Sequence, residues 1–353
     1  MIRSKNFISI LLFFLIVFQT NAQEKLVLNK DFKTTIVKNV TSIMKEKYLS
    51  AETGKIMGAY ILNQDKKGAY DSLNEVNEFC NKLTADMRFI DNDKHLYVFY
   101  SPEEAWEVKA YHHLLPKEEI QEINKQYFER DKRKNFGYEK NEILEGNVGY
   151  LKLSYFTISD TSNQALIGSM QFLSNSDAII IDLRDNGGGE SNNLLMSYFL
   201  PAEKKYLGSM SCRDTTMNQE FWTITNIPGK RLPEVDLYVL TNKRTFSAAE
   251  GLAFTLQKLE RATIIGETTK GGGHPVDILI VLGDVLTQFP ICKSNEPNWE
   301  GVGVKPDIDV ASDNALSTAH KMAIEKLIEK TSDIDYKSEL EMILIKLKQD
   351  QIN

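Results

Sequence analysis

The stretch YVLTNKRTFSAAEGLA, residues 238–253, decides the fold of this chain. Its apolar start predicts a buried strand, its polar middle a tight connection, and the small residues from Ala248 onward a helix. Ser247 stands directly before that helix, where unpaired N–H groups and the helix dipole favour negative charge. The negative charge that develops when a nucleophilic serine attacks would be stabilised at this position. A plain helix N-cap is the other interpretation, and this window alone favours it.

A second window of the same kind, residues 177–191, reads DAIIIDLRDNGGGES. It predicts a buried strand, a glycine-rich turn and a helix, and two such units imply a parallel sheet with its loops along one edge. Gly187, Gly188 and Gly189 permit close approach of the backbone, so this turn could present N–H groups to a developing negative charge. A phosphate-binding turn is the weaker alternative, because neither nucleotide-binding glycine motif is present.

Together with ATIIGETT at residues 262–269, the two windows resemble the C-terminal processing (tail-specific) serine proteases. The resemblance extends from about residue 149 to residue 307. It implies an α/β fold with a protease core of stacked ββα units (ClpP/crotonase-like), a small N-terminal helical bundle, and Ser247 as the nucleophile. The N–H group of Ala248 and one from Gly187 or Gly188 would then bind the oxyanion.

The residue that serves as general base differs between branches of this family. Where members with a serine–lysine dyad carry the lysine, this sequence has Gly272. The nearby Lys270 lies in a glycine run that promises neither burial nor a cationic neighbour to lower its pKa, so we interpret it as a solvated loop residue. The ending GGGHP, residues 271–275, resembles the branch that contains the tricorn core protease and the modules of interphotoreceptor retinoid-binding protein. That resemblance implies a histidine base supplied from upstream.

The candidate base is His95. Residues 89–102, FIDNDKHLYVFYSP, resemble the D-x-H motif with which this branch delivers its catalytic histidine. His95 stands where a polar turn enters an alternating strand, a position that can direct an imidazole into a cleft. A turn histidine that bonds locally is the competing interpretation, and His274 is the second candidate for the base.

The candidate orienting acid is Glu300. Residues 298–307, NWEGVGVKPD, resemble the family ending E-G-x-G-V-x-P-D, and Glu300 matches its acid. A surface carboxylate beside a turn is the alternative. In the tricorn version a serine before the histidine links it to this glutamate, whereas this chain has Lys94 there. The link from Glu300 to His95 is therefore open, and Asp93 or a water could orient the ring instead.

Residues 1–22 have the features of a secretory signal peptide. They combine a basic start (Arg3, Lys5), an apolar run over residues 7–18 and a small-residue cleavage site. The apolar run is shorter than the roughly 20 residues that a spanning helix needs, so we expect export to the periplasm or the extracellular space and no integral membrane span after cleavage. Cleavage changes the formal net charge from −7 to −9, because two cationic residues leave with the peptide. An acidic product argues against nucleic acid or an anionic membrane as a partner.

Four segments are expected along the chain. After the signal peptide (residues 1–22), residues 23–92 are predicted to form a small helical domain, residues 93–314 the protease core, and residues 315–353 a C-terminal helical segment. The charged region 102–138 lacks the carboxylate-binding loop of a PDZ domain, so none is expected.

The cysteines carry little functional signal. Cys80, Cys212 and Cys292 are too few and too scattered for a disulfide framework or a zinc site. At most one disulfide is possible, and the default expectation for all three is a buried structural thiol. A Cys/His protease is the rival, but no cysteine has the strand-to-helix setting of Ser247.

The sequence thus predicts an exported serine peptidase that cleaves peptide bonds through an acyl-enzyme on Ser247, with His95 as general base. The expected partner is a peptide or an unfolded protein, which would add as an extended strand beside the core sheet. Neither a metal nor an organic cofactor is required. A non-catalytic protein that binds hydrophobic ligands or peptides is the alternative, because Lys94 departs from the catalytic pattern. An acyl or ester hydrolase with the same serine is a third possibility.

Overall fold

A computed structural model of the chain describes residues 28–157, 159–190, 193–296 and 299–350. The predicted signal peptide, residues 1–22, lies outside the described residues. The helices are, in chain order, α1 (Lys30–Lys47), α2 (Ala51–Lys66), α3 (Val76–Ile90), α4 (Pro102–Tyr111), α5 (Lys117–Arg133), α6 (Asp160–Phe172), α7 (Asn193–Tyr198), α8 (Ala248–Lys258), α9 (Ala315–Lys330) and α10 (Ile334–Asp350). The strands are β1 (Tyr97–Tyr100), β2 (Tyr138–Leu144), β3 (Val148–Leu153), β4 (Ala178–Asp182), β5 (Tyr206–Cys212), β6 (Gln219–Trp222), β7 (Asp236–Thr241), β8 (Thr263–Gly266), β9 (Val276–Leu282), β10 (Val285–Pro290), β11 (Cys292–Ser294) and β12 (Ile308–Asp309).

A six-stranded sheet with the strand order β12-β8-β7-β4-β3-β2 carries the candidate nucleophile. Neighbouring strands from β12 to β3 run parallel, and β2 pairs antiparallel with β3. Every residue of β4 is buried, and so is every residue of β7 after its first, as their apolar runs predict. Because Asp182 pairs with Leu240 across these adjacent strands, the turns that follow β4 and β7 leave the sheet at the same edge.

Helices cover both faces of this sheet. On one face, apolar side chains of α6, α7 and α8 pack against Ile179, Ile181 and Val239. On the opposite face, α9 and α10 pack against Ile180 and Tyr238. The alternation along β4 follows from the two-residue repeat of a strand, which sends successive side chains to opposite faces. The predicted α/β class is confirmed.

The N-terminal helices α1, α2 and α3 form a small bundle, as predicted. Their apolar residues, among them Met44, Met57 and Leu83, share one hydrophobic core with Val285 and Phe289 of β10. Strands β1, β10 and β9 form a three-stranded antiparallel sheet against this bundle. The core therefore crosses the boundary that the sequence predicts between residues 92 and 93. It also anchors the segment before β1, which carries His95.

A third sheet has the order β11-β5-β6 and contains a disulfide. Cys212 of β5 and Cys292 of β11 are paired in register and bonded to each other, although 80 residues separate them in sequence. The expectation of three buried thiols is therefore wrong for these two, because strand pairing brings distant cysteines together. Cys80 is a buried free thiol.

The charged region between residues 102 and 138 forms α4 and α5. In α4, Ala105 and Val108 pack against Leu286 of β10. Within the ranges given above, none of the helices combines the length and the hydrophobicity that crossing a bilayer requires.

Candidate active site

Ser247 occupies the junction between β7 and α8 with a strained backbone. Its φ of 53° and ψ of −122° lie in a region that residues other than glycine rarely adopt. Such a conformation costs about 1–3 kcal/mol and persists only where the surroundings enforce it, typically at functional sites. The residue is partly exposed and directly precedes the first helical residue, Ala248. The strain therefore presents a hydroxyl at the positive end of a helix dipole.

Glu250 holds this junction in place. Its side chain is fully buried and accepts hydrogen bonds from the backbone N–H groups of Ser247 (2.9 Å), Gly271 (2.6 Å) and Gly272 (2.8 Å) and from the hydroxyl of Thr269 (2.5 Å). Burial raises the pKa of the Glu250 carboxyl, while the four hydrogen bonds act in the opposite direction. The carboxylate thus ties the nucleophile to the loop of residues 269–272.

His95 lies against Phe246, the residue before Ser247. Its ring packs against the ring of Phe246, with 4.6 Å between centroids, and only 3% of the residue is exposed. Arg88 fixes the surrounding turn by donating to the carbonyl groups of Lys94 and Leu96. Among the described residues, neither ring nitrogen of His95 has a hydrogen-bond partner. Such a buried polar group costs about 1–3 kcal/mol and calls for a functional explanation.

Asp93 lies between two histidines. Its Oδ1 accepts the backbone N–H of His95 at 2.7 Å and is 3.5 Å from Nδ1 of the same residue. Its Oδ2 is 2.5 Å from Nδ1 of His274. Burial alone would raise the pKa of Asp93, but the hydrogen bonds with His274 and His95 hold it well below its ordinary value. The pKa of His274 is raised, because Asp93 and Glu300 outweigh the effect of its burial.

Glu300 is placed beside His274 and not beside His95. Its Oε2 lies 3.6 Å from Nδ1 of His274 and accepts the N–H of Gly273 at 2.5 Å. The link from Glu300 to His95, which the sequence leaves open, is not formed by a hydrogen bond in this structure, since both nitrogens of His95 lack partners among the described residues. Lys94 stands where the family pattern has a linking serine, and its ammonium donates to the carbonyl of Lys270 instead.

The glycine turn after β4 approaches Ser247 closely. A side chain at Gly188, whose φ is 98°, would place Cβ 2.7 Å from Cβ of Ser247 and 3.1 Å from the Ala248 nitrogen. The N–H of Gly188, however, donates to Oδ1 of Asn186 at 2.8 Å. The N–H of Gly187 is exposed and meets no acceptor within the part of the chain that the structure describes. Of the two predicted glycine donors, Gly187 is thus the one available.

A cleft of about 360 Å³ opens beside Ser247 and follows one face of α8. The helix contributes Gly251, Phe254 and Lys258 to its wall, a spacing that one helical face produces. Other residues that line it are His274, Trp299 and, from the third sheet, Leu207, Met210, Gln219, Phe221 and Ser294. The cleft therefore lies against the third sheet, whereas the sequence analysis expected a peptide beside the core sheet.

Comparisons with known proteins identify the family. Residues 147–310 match the model of peptidase family S41, and residues 20–130 match that of the N-terminal domain of this family in eukaryotic IRBP. The chain belongs to peptidase family S41. The predicted family is thereby confirmed, and the second match agrees with the predicted branch.

Two curated relatives of this S41 chain are carboxyl-terminal-processing proteases. The chain is 26% identical to the protein of Synechocystis sp. over 200 residues, which is 56% of this chain and 44% of the relative. It is 32% identical to the protein of Bartonella bacilliformis over 178 residues, or 47% of this chain and 39% of the relative. The matches thus span less than half of either relative.

Two solved structures share the fold of this S41 chain. A candidate peptidase from Parabacteroides merdae is 17% identical, with a TM-score of 0.56 over 85% of this chain and 99% of the other. A lipoprotein from Streptococcus agalactiae is 15% identical, with a TM-score of 0.52 over 83% and 96%.

The role of Glu250 in this S41 chain was not predicted from the sequence. The spacing of Ser247 and Glu250 is that of a capping box, in which the acid three residues after the N-cap bonds back to its N–H. That signal was present in the sequence. The pairing of Asp93 with His274 had no such signal, because 181 residues separate the two.

Proposed function

We propose that this S41 chain is an exported serine peptidase that cleaves peptide bonds through an acyl-enzyme on Ser247. The observation that carries the proposal is the strained backbone of Ser247, at a helix N-terminus and at the mouth of a cleft. A residue that serves only as an N-cap has no need of a left-handed φ, because caps ordinarily adopt an extended conformation. The strain is accounted for if the hydroxyl must face a substrate.

In the proposed reaction, His95 is the general base. A ring nitrogen takes the proton of the Ser247 hydroxyl as its oxygen attacks the peptide carbonyl carbon. The N–H groups of Ala248 and Gly187 bind the resulting oxyanion, and each such donor is worth about 3 kcal/mol in comparable sites. When the C–N bond breaks, the proton passes to the leaving amine. Water, deprotonated by His95, then hydrolyses the ester and restores the serine.

The environment of His95 supports this role and also implies a movement. Neither ring nitrogen of His95 is occupied by another hydrogen bond among the described residues, which leaves an acceptor for the proton of Ser247, and the carboxylate of Asp93, 3.5 Å from Nδ1, would stabilise the imidazolium. Because no hydrogen bond joins His95 to Ser247 in this structure, the ring must shift toward the serine when substrate binds. Catalytic hydrogen bonds commonly tighten only in the substrate complex.

The proposed substrate is an extended peptide that lies along α8. This helix has 11 residues and is therefore about 16 Å long, which matches about five residues of an extended chain. The wall on the other side comes from the third sheet, where β11 is an edge strand that could pair with a peptide backbone. The apolar lining from Phe221, Phe254 and Trp299 favours apolar side chains in the substrate.

Export is supported by two observations. Residues 1–22 have the composition of a signal peptide. The disulfide between Cys212 and Cys292 is of a kind that persists in oxidising compartments and is rare in the cytosol.

The test compares the wild-type protein with Ser247→Ala. We expect the variant to lose fluorophosphonate labelling and to hydrolyse an unstructured peptide at least about 10⁴-fold more slowly. Ser294→Ala is the matched control, because Ser294 lines the same cleft but lies on a strand away from any helix N-terminus. Equal labelling of Ser247→Ala and wild type would remove this serine from the mechanism.

A non-catalytic binding protein is the second candidate, and one observation favours it: His95 makes no hydrogen bond to Ser247. In that case the largely apolar cleft would hold a hydrophobic ligand or a peptide without turnover. Native mass spectrometry of the wild-type protein and a hydrolysis assay with unstructured peptides separate the two functions. A retained ligand together with no peptide or ester hydrolysis would support binding alone.

A further inference from the structure

The side chains of Asp93, His274 and Glu300 converge beside the cleft. One ligand atom from each of them lies within 4.8 Å of the other two. Nδ1 of His274 is 2.5 Å from Oδ2 of Asp93 and 3.6 Å from Oε2 of Glu300. In a tetrahedral zinc site, with metal–ligand distances near 2.1 Å, neighbouring donor atoms are about 3.4 Å apart. The cluster approaches that spacing, and the shorter contact would open by about 1 Å.

Groups outside the cluster orient both carboxylates. Asp93 has Oδ1 engaged with the backbone N–H of His95, which leaves Oδ2 directed at His274. Glu300 is held by the N–H of Gly273, which follows the loop that Glu250 anchors. Metal-binding residues are typically fixed by outer hydrogen bonds of this kind, which reduce the reorganisation that binding requires.

The cluster is both sheltered and accessible. The Asp93 side chain is 2% exposed, whereas those of His274 and Glu300 are 18% and 16% exposed. His274 also lines the cleft, so an ion can enter from there. Three protein donors and one side open to solvent correspond to a tetrahedral site whose fourth ligand is water.

From this geometry we propose that Asp93, His274 and Glu300 form a binding site for a divalent transition-metal ion, with Zn²⁺ as the best match. One imidazole nitrogen and two carboxylate oxygens suit zinc, whereas Ca²⁺ and Mg²⁺ prefer oxygen ligands throughout. The ion takes the place of the hydrogen bond between His274 and Asp93, and the proton on Nδ1 is released to solvent.

Occupancy of this site inhibits the peptidase, a consequence that rests on the proposed function. Asp93 would give its Oδ2 to the metal while its Oδ1 still accepts the backbone N–H of His95, so the ion would fix the segment that has to bring His95 toward Ser247. A zinc-loaded chain would therefore bind peptide but turn it over slowly.

The binding test uses the full chain with the substitution Ser247→Ala, so that it does not depend on activity. After treatment with a chelator, Zn²⁺ is titrated by isothermal calorimetry at about pH 7.5, where imidazole and carboxylates can ligate. We expect one Zn²⁺ per chain, no competition from Mg²⁺, and affinity at least roughly tenfold lower in both His274→Gln and Glu300→Gln. Circular dichroism of the metal-free variants checks that each is folded.

His95→Gln in the same background is the matched control. His95 is the other histidine beside Asp93, and zinc bound directly to this residue would also inhibit a peptidase. The proposal requires that His95→Gln retains zinc affinity while His274→Gln loses it. The opposite pattern, or equal affinity in His274→Gln and the parent, overturns the site.

The inhibition test is separate. If wild type hydrolyses peptides, Zn²⁺ should reduce its kcat, and the residual activity of Glu300→Gln should be at least tenfold less sensitive to the ion. Binding without any peptide hydrolysis would leave the metal site standing and contradict the proposed function alone. Hydrolysis that saturating zinc does not slow would overturn the inhibitory role.

Discussion

The two sides of the candidate site differ in how fully their polar groups are paired. On the nucleophile side, Glu250 binds four donors and thereby fixes the strained backbone of Ser247. On the base side, the His95 ring is buried against Phe246 without a hydrogen-bond partner in the described residues. The side that contains Ser247 is held by a full set of hydrogen bonds. The side that contains His95 lacks the hydrogen bonds that the proposed reaction would need.

This difference follows from where the two sides come from in the chain. The nucleophile side is built from adjacent parallel strands and the helix that follows β7, so its parts share one sheet and one core. The base side comes from the segment between α3 and β1, which belongs to the core of the N-terminal bundle. The proposed catalysis by Ser247 would therefore depend on how that bundle positions His95, and the three substitutions below test the contrast in order of expected effect.

Glu250→Gln should have the largest effect, because it breaks the paired side. The amide keeps one acceptor oxygen but turns its NH₂ group toward the N–H donors that the carboxylate now accepts. We expect the free energy of unfolding to fall by about 3 kcal/mol and peptide turnover to fall with it. Urea unfolding monitored by circular dichroism measures the first, and peptide hydrolysis the second.

Glu267→Gln is the control for this substitution. Glu267 is also on the loop after β8, but its carboxylate contacts only the exposed ammonium of Lys243 among the ion pairs of the described residues, at 3.5 Å. We expect its effect to stay below about 0.5 kcal/mol. Similar stabilities for the two variants would show that Glu250 does not hold the junction.

Gly188→Ala should have an intermediate effect on the same side. Its φ of 98° is strained for alanine, and the new methyl group would lie 2.7 Å from Cβ of Ser247. We expect a loss of about 2 kcal/mol in unfolding free energy and a lower kcat, because the nucleophile is displaced. Gly187→Ala is the comparison, since a Cβ there meets nothing within 4 Å and the N–H is retained. A Gly187→Ala variant as impaired as Gly188→Ala would contradict the close approach.

Much of the fold could be predicted from local pattern. Residues 178–181 in β4 and residues 237–240 in β7 are all apolar, which indicated strands buried on both faces, and these residues are all buried. The hairpin of β9 and β10 is also a local feature, since its two antiparallel strands are joined by the short turn at Gly283. These features depend on residues close together in sequence, where periodicity and turn chemistry are informative.

The contacts between distant segments could not be predicted in the same way. Ser247 and His95 were found by motif resemblance, but the motif did not show that Glu300 would face His274. That outcome depends on the path of the loop that carries Gly273, and on Lys94 in place of a serine. Neither the loop path nor the register that joins β5 to β11 leaves a periodic signal in the sequence.

Of the three substitutions, His95→Leu should change the free energy of unfolding least. It should also stabilise the chain, whereas the other two destabilise it. Leucine has a similar volume but no ring nitrogens, so it removes buried polar atoms that lack partners. We expect the free energy of unfolding to rise by about 1 kcal/mol while peptide turnover is lost. His274→Leu, in contrast, deprives the buried carboxylate of Asp93 of a partner and should destabilise the chain. If urea unfolding showed His95→Leu to be as destabilised as His274→Leu, the His95 ring would be a bonded structural group in solution. The contrast between a fully hydrogen-bonded junction at Ser247 and an unpaired ring at His95 would then be wrong.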